Sequence, residues 1–129
     1  MADRSLMTTT ILLLVSDPVM RSVMHEILDR EGYAVEAVGT LGDAVDRLKV
    51  ITPDLLITRT YVHNLPGHEA AKYLRERCMS MKVLIVGGLL ADDRLCYRES
   101  LEGFQVFPKP YPAIELLRKI KEVLTISRR

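Results

Sequence analysis

The fold of this chain is decided by the stretch Pro53-Asp54-Leu55-Leu56-Ile57-Thr58-Arg59-Thr60. It opens with a turn signal, and residues 55–57 form a short apolar run of the length expected for a buried strand. The sequence then turns polar and reaches Pro66-Gly67, ahead of a segment with helical spacing. Arg59 therefore falls at the carboxyl end of a strand, which is where ligands bind in open α/β sheets. A long side chain with a permanent charge is unusual at such a position.

Segments typical of strands and helices alternate on both sides of this stretch. Strands are predicted at residues 8–15, 34–38, 55–57, 82–86 and 104–107, and helices at 18–31, 41–48, 67–78, 91–100 and from 112 onward. Most of these strands are apolar throughout, as in parallel sheets covered on both faces. The alternation predicts an α/β fold, with a five-stranded parallel sheet in the order 2-1-3-4-5 and helices on both faces.

The composition is that of one globular domain. The 129 residues are 48% hydrophobic and 27% charged, with a net charge of +1. We expect a flexible N-terminus over residues 1–8, a single domain over residues 9–126 and a basic tail over residues 127–129. Neither nucleic acid nor a membrane is an expected partner, because the net charge is small and no apolar run approaches 18 residues. We expect a cytoplasmic protein with reduced cysteines.

The predicted topology brings three loops together. The first strand ends before Asp17, the third ends at Arg59 and the fifth ends before Lys109. In the order 2-1-3-4-5 the first and third strands are neighbours, and the switch point lies between them. We therefore expect Asp17, Arg59 and Lys109 to meet in one pocket.

Several short motifs, in order and at matching spacing, resemble one known family. They are residues 11–14, Asp17-Pro18-x-x-Arg21, Glu31-Gly32-Tyr33, residues 53–57, Gly67 and Lys109-Pro110-Tyr111. From about residue 9 to residue 125 the chain is similar to the receiver domain of two-component response regulators. The resemblance implies a flavodoxin-like three-layer sandwich. It also implies transfer of a phosphoryl group from a histidine kinase to an Asp at the end of the third strand, assisted by Mg²⁺.

The residues that perform this chemistry in the family are mostly replaced here. Arg59 stands where the acceptor Asp is expected, and a guanidinium cannot act as a nucleophile toward phosphorus. Without gaps, Val15 and Ser16 take the places of the acidic pair that binds Mg²⁺, whereas a shift of one residue would make Ser16-Asp17 that pair. The remaining positions implied by the resemblance are Gly87 for a hydroxyl residue, Val106 for an aromatic switch, and Lys109 with Pro110, where the family has a cis bond.

Charge gives a further expectation for the pocket. Asp17, Arg59 and Lys109 together carry about +1, which does not favour a divalent cation. We expect no cofactor, loss of Mg²⁺ binding and an ion pair between Arg59 and Asp17 in place of the metal. Two alternatives stay open: Arg59 extends into solvent while Asp17 is a plain helix cap, or the pocket holds an anion.

These observations predict a signalling module and no enzyme. The leading hypothesis is a pseudo-receiver that binds a protein partner or a second copy independently of phosphorylation. A histidine kinase or another signalling protein is a possible partner. By resemblance, the contact face comprises the fourth helix, fifth strand and fifth helix, with Arg94, Tyr97, Val106 and Arg118. The alternative is a phosphorylatable regulator with an unconventional acceptor. A small flavodoxin-like enzyme is a weaker third class, because the chain has no Gly-rich phosphate loop and no nucleophile elbow.

Overall fold

The computed structural model describes residues 8–86, 105–107 and 113–125. Within them the chain forms seven strands and four helices. In chain order they are β1 (Thr10–Leu14), α1 (Pro18–Arg30), β2 (Ala34–Val38), α2 (Leu41–Leu48), β3 (Leu55–Arg59), β4 (Tyr61–Val62), β5 (Leu65–Pro66), α3 (Gly67–Arg75), β6 (Lys82–Val86), β7 (Gln105–Phe107) and α4 (Ala113–Thr125).

The main sheet is parallel throughout. Its four five-residue strands lie in the order β2-β1-β3-β6, and the three-residue strand β7 pairs with β6 at the far edge. The predicted α/β fold is confirmed, and β2 lies at an edge as expected. The predicted fifth helix corresponds to α4, whereas the predicted helix over residues 91–100 lies outside the described residues.

The sequence analysis did not predict two further short strands. Strands β4 and β5 pair antiparallel to each other in a separate two-stranded sheet, in the polar segment that follows Arg59. Each is only two residues long. A strand of that length contains one step of alternation, so a periodicity argument cannot detect it.

Two apolar layers cover the main sheet, because successive strand residues point to opposite faces. Leu12, Leu14, Leu56, Val83 and Ile85 pack with residues of α2 and α3. The opposite layer contains Ile11, Leu13, Leu55, Ile57 and Leu84, with residues of α1 and α4. The same alternation places Thr58 on the α2–α3 face and Arg59 on the α1–α4 face.

Local signals explain the ends of the first helix. Asp17 is its N-cap and Pro18 is its first residue, as predicted. Gly32 follows the helix with a φ of +99°, a conformation that glycine adopts without steric cost. Among the described residues, no helix has both the length and the apolar composition needed to span a membrane.

Candidate functional site

The carboxyl edge of the sheet brings together the ends of three strands. Strand β3 is hydrogen-bonded to β1 on one side and to β6 on the other, so the ends of all three lie next to one another. The structure thereby places the loop that carries Asp17 beside the strand that ends at Arg59. The third member of the predicted cluster, Lys109, lies outside the described residues, as do Gly87 and Pro110.

Arg59 is half-buried at the end of β3, and the residues beside it on the two neighbouring strands are apolar. Its register partner on β6 is Val86, and Leu14 pairs with Thr58, so continuing that register places Val15 beside Arg59. Both valines are completely buried. No described residue forms a hydrogen bond or an ion pair with the Arg59 guanidinium. A guanidinium cannot lose its charge in a protein, so this edge carries a permanent positive charge.

Asp17 does not form the predicted ion pair with Arg59. Its side chain is exposed, and Oδ1 accepts hydrogen bonds from the backbone N–H groups of Val19, at 2.9 Å, and Met20, at 3.4 Å. The carboxylate therefore caps α1, which satisfies two backbone donors that have no partner within the helix. The capping interaction is local in sequence, so it forms without bringing two distant loops together, and it directs the carboxylate toward its own helix.

A second arginine, Arg21, joins the ends of β1 and β2. Its Nη1 donates hydrogen bonds to the carbonyl oxygens of Val15, at 2.8 Å, and Ser16, at 3.5 Å. The guanidinium also lies against Gly39, where an added Cβ atom would collide with Nη1. Gly39 thus leaves room for this contact, which we name the Arg21 clasp. Sequence reasoning included Arg21 only as part of a motif and missed Gly39, although a glycine directly after a strand is a signal of close approach.

The hairpin formed by β4 and β5 continues the same edge. His63 lies in its turn with a φ of +57°, and its N–H donates a hydrogen bond to Ser16 Oγ at 3.4 Å. This bond ties the hairpin to the loop before α1. The positions of His63 and His68 on either side of Pro66-Gly67 predict that both are solvated in a loop. His63 is exposed, in agreement with this prediction. The prediction that His68 is also solvated was wrong, because only 5% of it is exposed and its Nε2 lies 3.6 Å from Glu69 Oε2.

Gly67 allows the chain to turn tightly from the hairpin into α3. Its N–H donates a hydrogen bond of 2.6 Å to the carbonyl oxygen of Thr60. A Cβ atom added at Gly67 would collide with the carbonyl oxygen of Arg59 and lie 3.2 Å from that of Thr60. These atoms belong to the backbone and cannot rotate away. The absence of a side chain at Gly67 is therefore a steric requirement of the strand end that carries Arg59.

Two threonine hydroxyls near this strand end are buried, and the described part of the chain offers them no hydrogen-bond partner. They are Oγ1 of Thr58, which is completely buried, and Oγ1 of Thr60. An unpaired buried hydroxyl costs about 1–3 kcal/mol relative to a paired one. The hydrogen-bonding groups at the carboxyl end of β3 are thus less completely paired than those in the rest of the strand.

The described residues contain no group of three or more His, Cys, Asp or Glu side chains placed to hold a metal ion. Val106, predicted to stand in the place of an aromatic switch, lies in β7 and pairs with Ile85.

Comparisons with known proteins agree with this geometry. A model of the response regulator receiver domain matches residues 11–121. Among solved structures, a response regulator receiver domain protein from Methanospirillum hungatei has a TM-score of 0.78 and 25% sequence identity, over 91% of this chain and 94% of that one. A response regulator receiver domain protein from Clostridium thermocellum has a TM-score of 0.81 and 18% identity, over 90% and 94% of the two chains, which shows the shared fold.

A curated relative is much longer than this chain. It is described as hybrid signal transduction histidine kinase D of Dictyostelium discoideum, and it is 25% identical over 122 residues. The match covers 92% of this chain and 8% of that protein. The family match covers most of the chain, and the parallel sheet and its two helical layers agree with it. This chain belongs to the family of response regulator receiver domains.

Proposed function

We propose that this receiver domain acts in two-component signalling as a protein-interaction or dimerisation module that does not depend on phosphorylation. The observation that carries the proposal is Arg59 at the carboxyl end of β3, where the family resemblance expects the phospho-accepting Asp. A guanidinium is cationic at all accessible pH values and has no lone pair available to attack phosphorus. The domain is accordingly a binding protein and not an enzyme, and its place of action is the cytoplasm.

The neighbours of Arg59 support the loss of the metal as well. Mg²⁺ prefers an octahedral set of carboxylate and water oxygens. Val15 is apolar, Ser16 offers a hydroxyl in place of a carboxylate, and the Asp17 carboxylate is engaged by two backbone N–H groups of α1. The described donors at this edge therefore do not fit a Mg²⁺ ion.

The partner is a protein or a second copy of the chain. The proposed contact face follows the family resemblance and comprises the predicted fourth helix, strand β7 and helix α4, with Arg118 among its members. Arg118 is exposed, and its Nη1 lies 2.8 Å from Glu115 Oε1. A surface pair of this kind contributes little to folding, so both side chains are free to exchange it for a partner's charges.

Incubation with a small phosphodonor and Mg²⁺, followed by intact mass measurement, tests the proposal. We expect no mass increase for the natural chain. A gain of one acid-labile phosphoryl group would overturn the proposal and favour the alternative, a phosphorylatable regulator with an unconventional acceptor.

The variant Arg59→Asp tests whether the missing acceptor alone accounts for the loss of phosphorylation, or whether Ser16 and Gly87 also contribute. We expect it to remain unphosphorylated, because Ser16 and Gly87 still lack the groups that assist the family's reaction. Combining Arg59→Asp with Ser16→Asp restores a second carboxylate, and we expect measurable phosphoryl uptake in the double variant but not in the single variant.

A further inference from the structure

Arg59 differs from the other arginines that the structure describes. There are seven of them, and all except Arg59 have a hydrogen bond, an ion pair or a ring contact. The paired ones are Arg21, Arg30, Arg47, Arg75, Arg77 and Arg118. Arg59 is half-buried, so water covers only part of it. A cation that has lost part of its hydration gains most from a counter-ion, so Arg59 has an unused capacity to bind an anion.

A second guanidinium adds to the positive charge beside Arg59. Arg21 Nη1 lies 2.8 Å from the carbonyl oxygen of Val15, the residue that the strand register places next to Arg59. Between them the loop before α1 contributes one carboxylate, that of Asp17, and the positive end of the α1 dipole offsets part of its charge. Arg21 and Arg59 carry +2 and Asp17 carries −1, so the three side chains sum to +1.

Charge and geometry both favour a carboxylate as the bound anion. One carboxylate brings the sum from +1 to 0, whereas a dianion would bring it to −1 and be repelled by Asp17. The planar fork of a guanidinium donates two parallel hydrogen bonds to a carboxylate, which needs no other donor. A tetrahedral dianion needs donors on several sides, and the strand neighbours of Arg59 are the apolar Val15 and Val86.

We propose that Arg59 binds the carboxylate of an Asp or Glu side chain of a protein partner. Val19 is 72% exposed and Tyr61 is 48% exposed, and they follow Asp17 and Arg59 by two residues each. Both chain segments that form the site therefore also expose apolar surface, which contacts the stem of an inserted side chain and excludes water from the ion pair. The assignment of the carboxylate to a protein rests on the proposed function, whereas the carboxylate site itself does not.

Nuclear magnetic resonance of the isotope-labelled full chain tests this inference through the Nε–Cζ signal of Arg59. The titration is made at constant ionic strength and about pH 6.5, where an Asp side chain is ionised. The probe is acetyl-Leu-Asp-Leu-amide, and acetyl-Leu-Asn-Leu-amide is the uncharged control of the same shape. We expect a saturable shift with a Kd on the order of 10 mM for the Asp peptide and none for the Asn peptide. We expect acetate and sulfate each to bind at least about threefold more weakly than the Asp peptide.

Two variants of Arg59 separate its charge from its geometry. Arg59→Lys keeps the charge without the planar fork, and we expect it to raise the Kd of the Asp peptide at least about fivefold. Arg59→Met should abolish the saturable shift, read from the backbone amide signals of Thr60 and Val86, and the same spectra show whether each variant is folded. The matched control is Arg30→Met, because Arg30 ends α1 at the opposite edge of the sheet and is paired with Glu26. We expect its Kd to stay within about twofold of the natural value.

Each part of the inference has an outcome that contradicts it. Equal shifts with the two peptides, or unchanged binding by Arg59→Met, would overturn the site. Tighter binding of sulfate than of the Asp peptide would overturn the choice of a carboxylate, and equal binding of acetate would overturn a protein side chain as its source. A phosphoryl gain in the intact mass measurement, with carboxylate binding as expected, would overturn the proposed function and still support the site.

Discussion

The two ends of strand β3 differ in how completely their polar groups are satisfied. At the amino end, the N–H of Asp54 bonds to the carbonyl oxygen of Thr10 at 2.8 Å, its Oδ2 accepts from the Thr10 N–H at 2.9 Å, and its carbonyl oxygen accepts from the Lys82 N–H at 3.0 Å. At the carboxyl end, the described residues provide no partner for the Thr58 and Thr60 hydroxyls or for the Arg59 guanidinium. The amino end of β3 is thus hydrogen-bonded to both neighbouring strands, whereas the carboxyl end has polar side-chain groups without a described partner. Buried polar groups without a partner are uncommon in folded proteins, so the carboxyl end of β3 is the less well satisfied end of the strand.

Replacement of Gly67 by Ala should give the largest change in stability, because Gly67 is packed tightly against the backbone at the carboxyl end of β3. The added Cβ collides with backbone atoms of Arg59, so we expect a loss of about 3 kcal/mol or more in the free energy of unfolding. Urea denaturation measures it. The matched control is Gly42→Ala in α2, where the nearest atom lies 4.0 Å from the added Cβ. There we expect a gain of about 0.5–1 kcal/mol from helix propensity. Equal effects at the two glycines would contradict the crowding.

Replacement of Thr58 by Val should stabilise the protein. Valine has the shape of threonine without the unpaired hydroxyl, so we expect a gain of about 1 kcal/mol in the free energy of unfolding. Thr125→Val is the control, because the Thr125 Oγ1 donates a hydrogen bond of 2.9 Å to the carbonyl oxygen of Glu122. We expect no gain there. Destabilisation by Thr58→Val would show that its hydroxyl is satisfied in solution.

Replacement of Asp54 by Ala tests the well-satisfied end. It removes the acceptor of the Thr10 N–H, and we expect a loss of about 1 kcal/mol, measured by urea denaturation. Asp54→Asn keeps an oxygen at the same place and should lose less than half as much. If both variants were as stable as the natural chain, the two ends of β3 would not differ as described.

Replacement of Arg59 by Met should leave stability almost unchanged, within about 0.5 kcal/mol, because no ion pair with a described residue is lost. The result should not depend on salt concentration. A loss well above this range that disappears in high salt would instead reveal an ion pair at Arg59. Arg30→Met is a useful reference, since Arg30 Nη2 lies 2.8 Å from Glu26 Oε2 in an exposed pair.

The smallest effect concerns pH at the amino edge, where Tyr33 precedes β2. Burial, with a further contribution from the charge of Glu31, raises the pKa of Tyr33 above its ordinary value. The folded state therefore holds this proton more tightly than the unfolded state does. The resulting contribution to stability is fully present below the unfolded pKa of about 10 and is lost as pH rises through the folded pKa. We expect Tyr33→Phe to flatten the stability profile above pH 10. An unchanged profile would exclude Tyr33 as its source.

The main elements could be predicted because their signals are local. The apolar run of β1, the Asp17-Pro18 start of α1 and the Gly32 that follows it each depend on neighbouring residues, and the structure agrees with them. The sheet order followed from general rules for parallel strands. The main failure in the fold was the β4–β5 hairpin, whose strands are too short to show a period.

The site was harder to predict because its contacts join distant residues. The expected Asp17–Arg59 pair relied on opposite charges at neighbouring strand ends, and it did not account for the competing backbone donors of α1. The Arg21 clasp depends on the space above Gly39, which follows β2 and is 18 residues away in the sequence. His68 was assigned to solvent from its position in a loop, whereas it occupies the buried first turn of α3. Residue spacing along the sequence cannot predict contacts of this kind.

The Arg21 clasp has a consequence for the conditions under which this edge keeps its shape. A bound ion can be diluted, chelated or exchanged for a competitor, whereas a guanidinium attached to α1 has a local concentration fixed by the chain itself. A guanidinium is also positively charged throughout the physiological pH range. The ends of β1 and β2 are therefore joined by a contact that is indifferent to chelators and to changes in pH. The shape of this edge therefore depends on the folded chain itself and not on an ion that can dissociate.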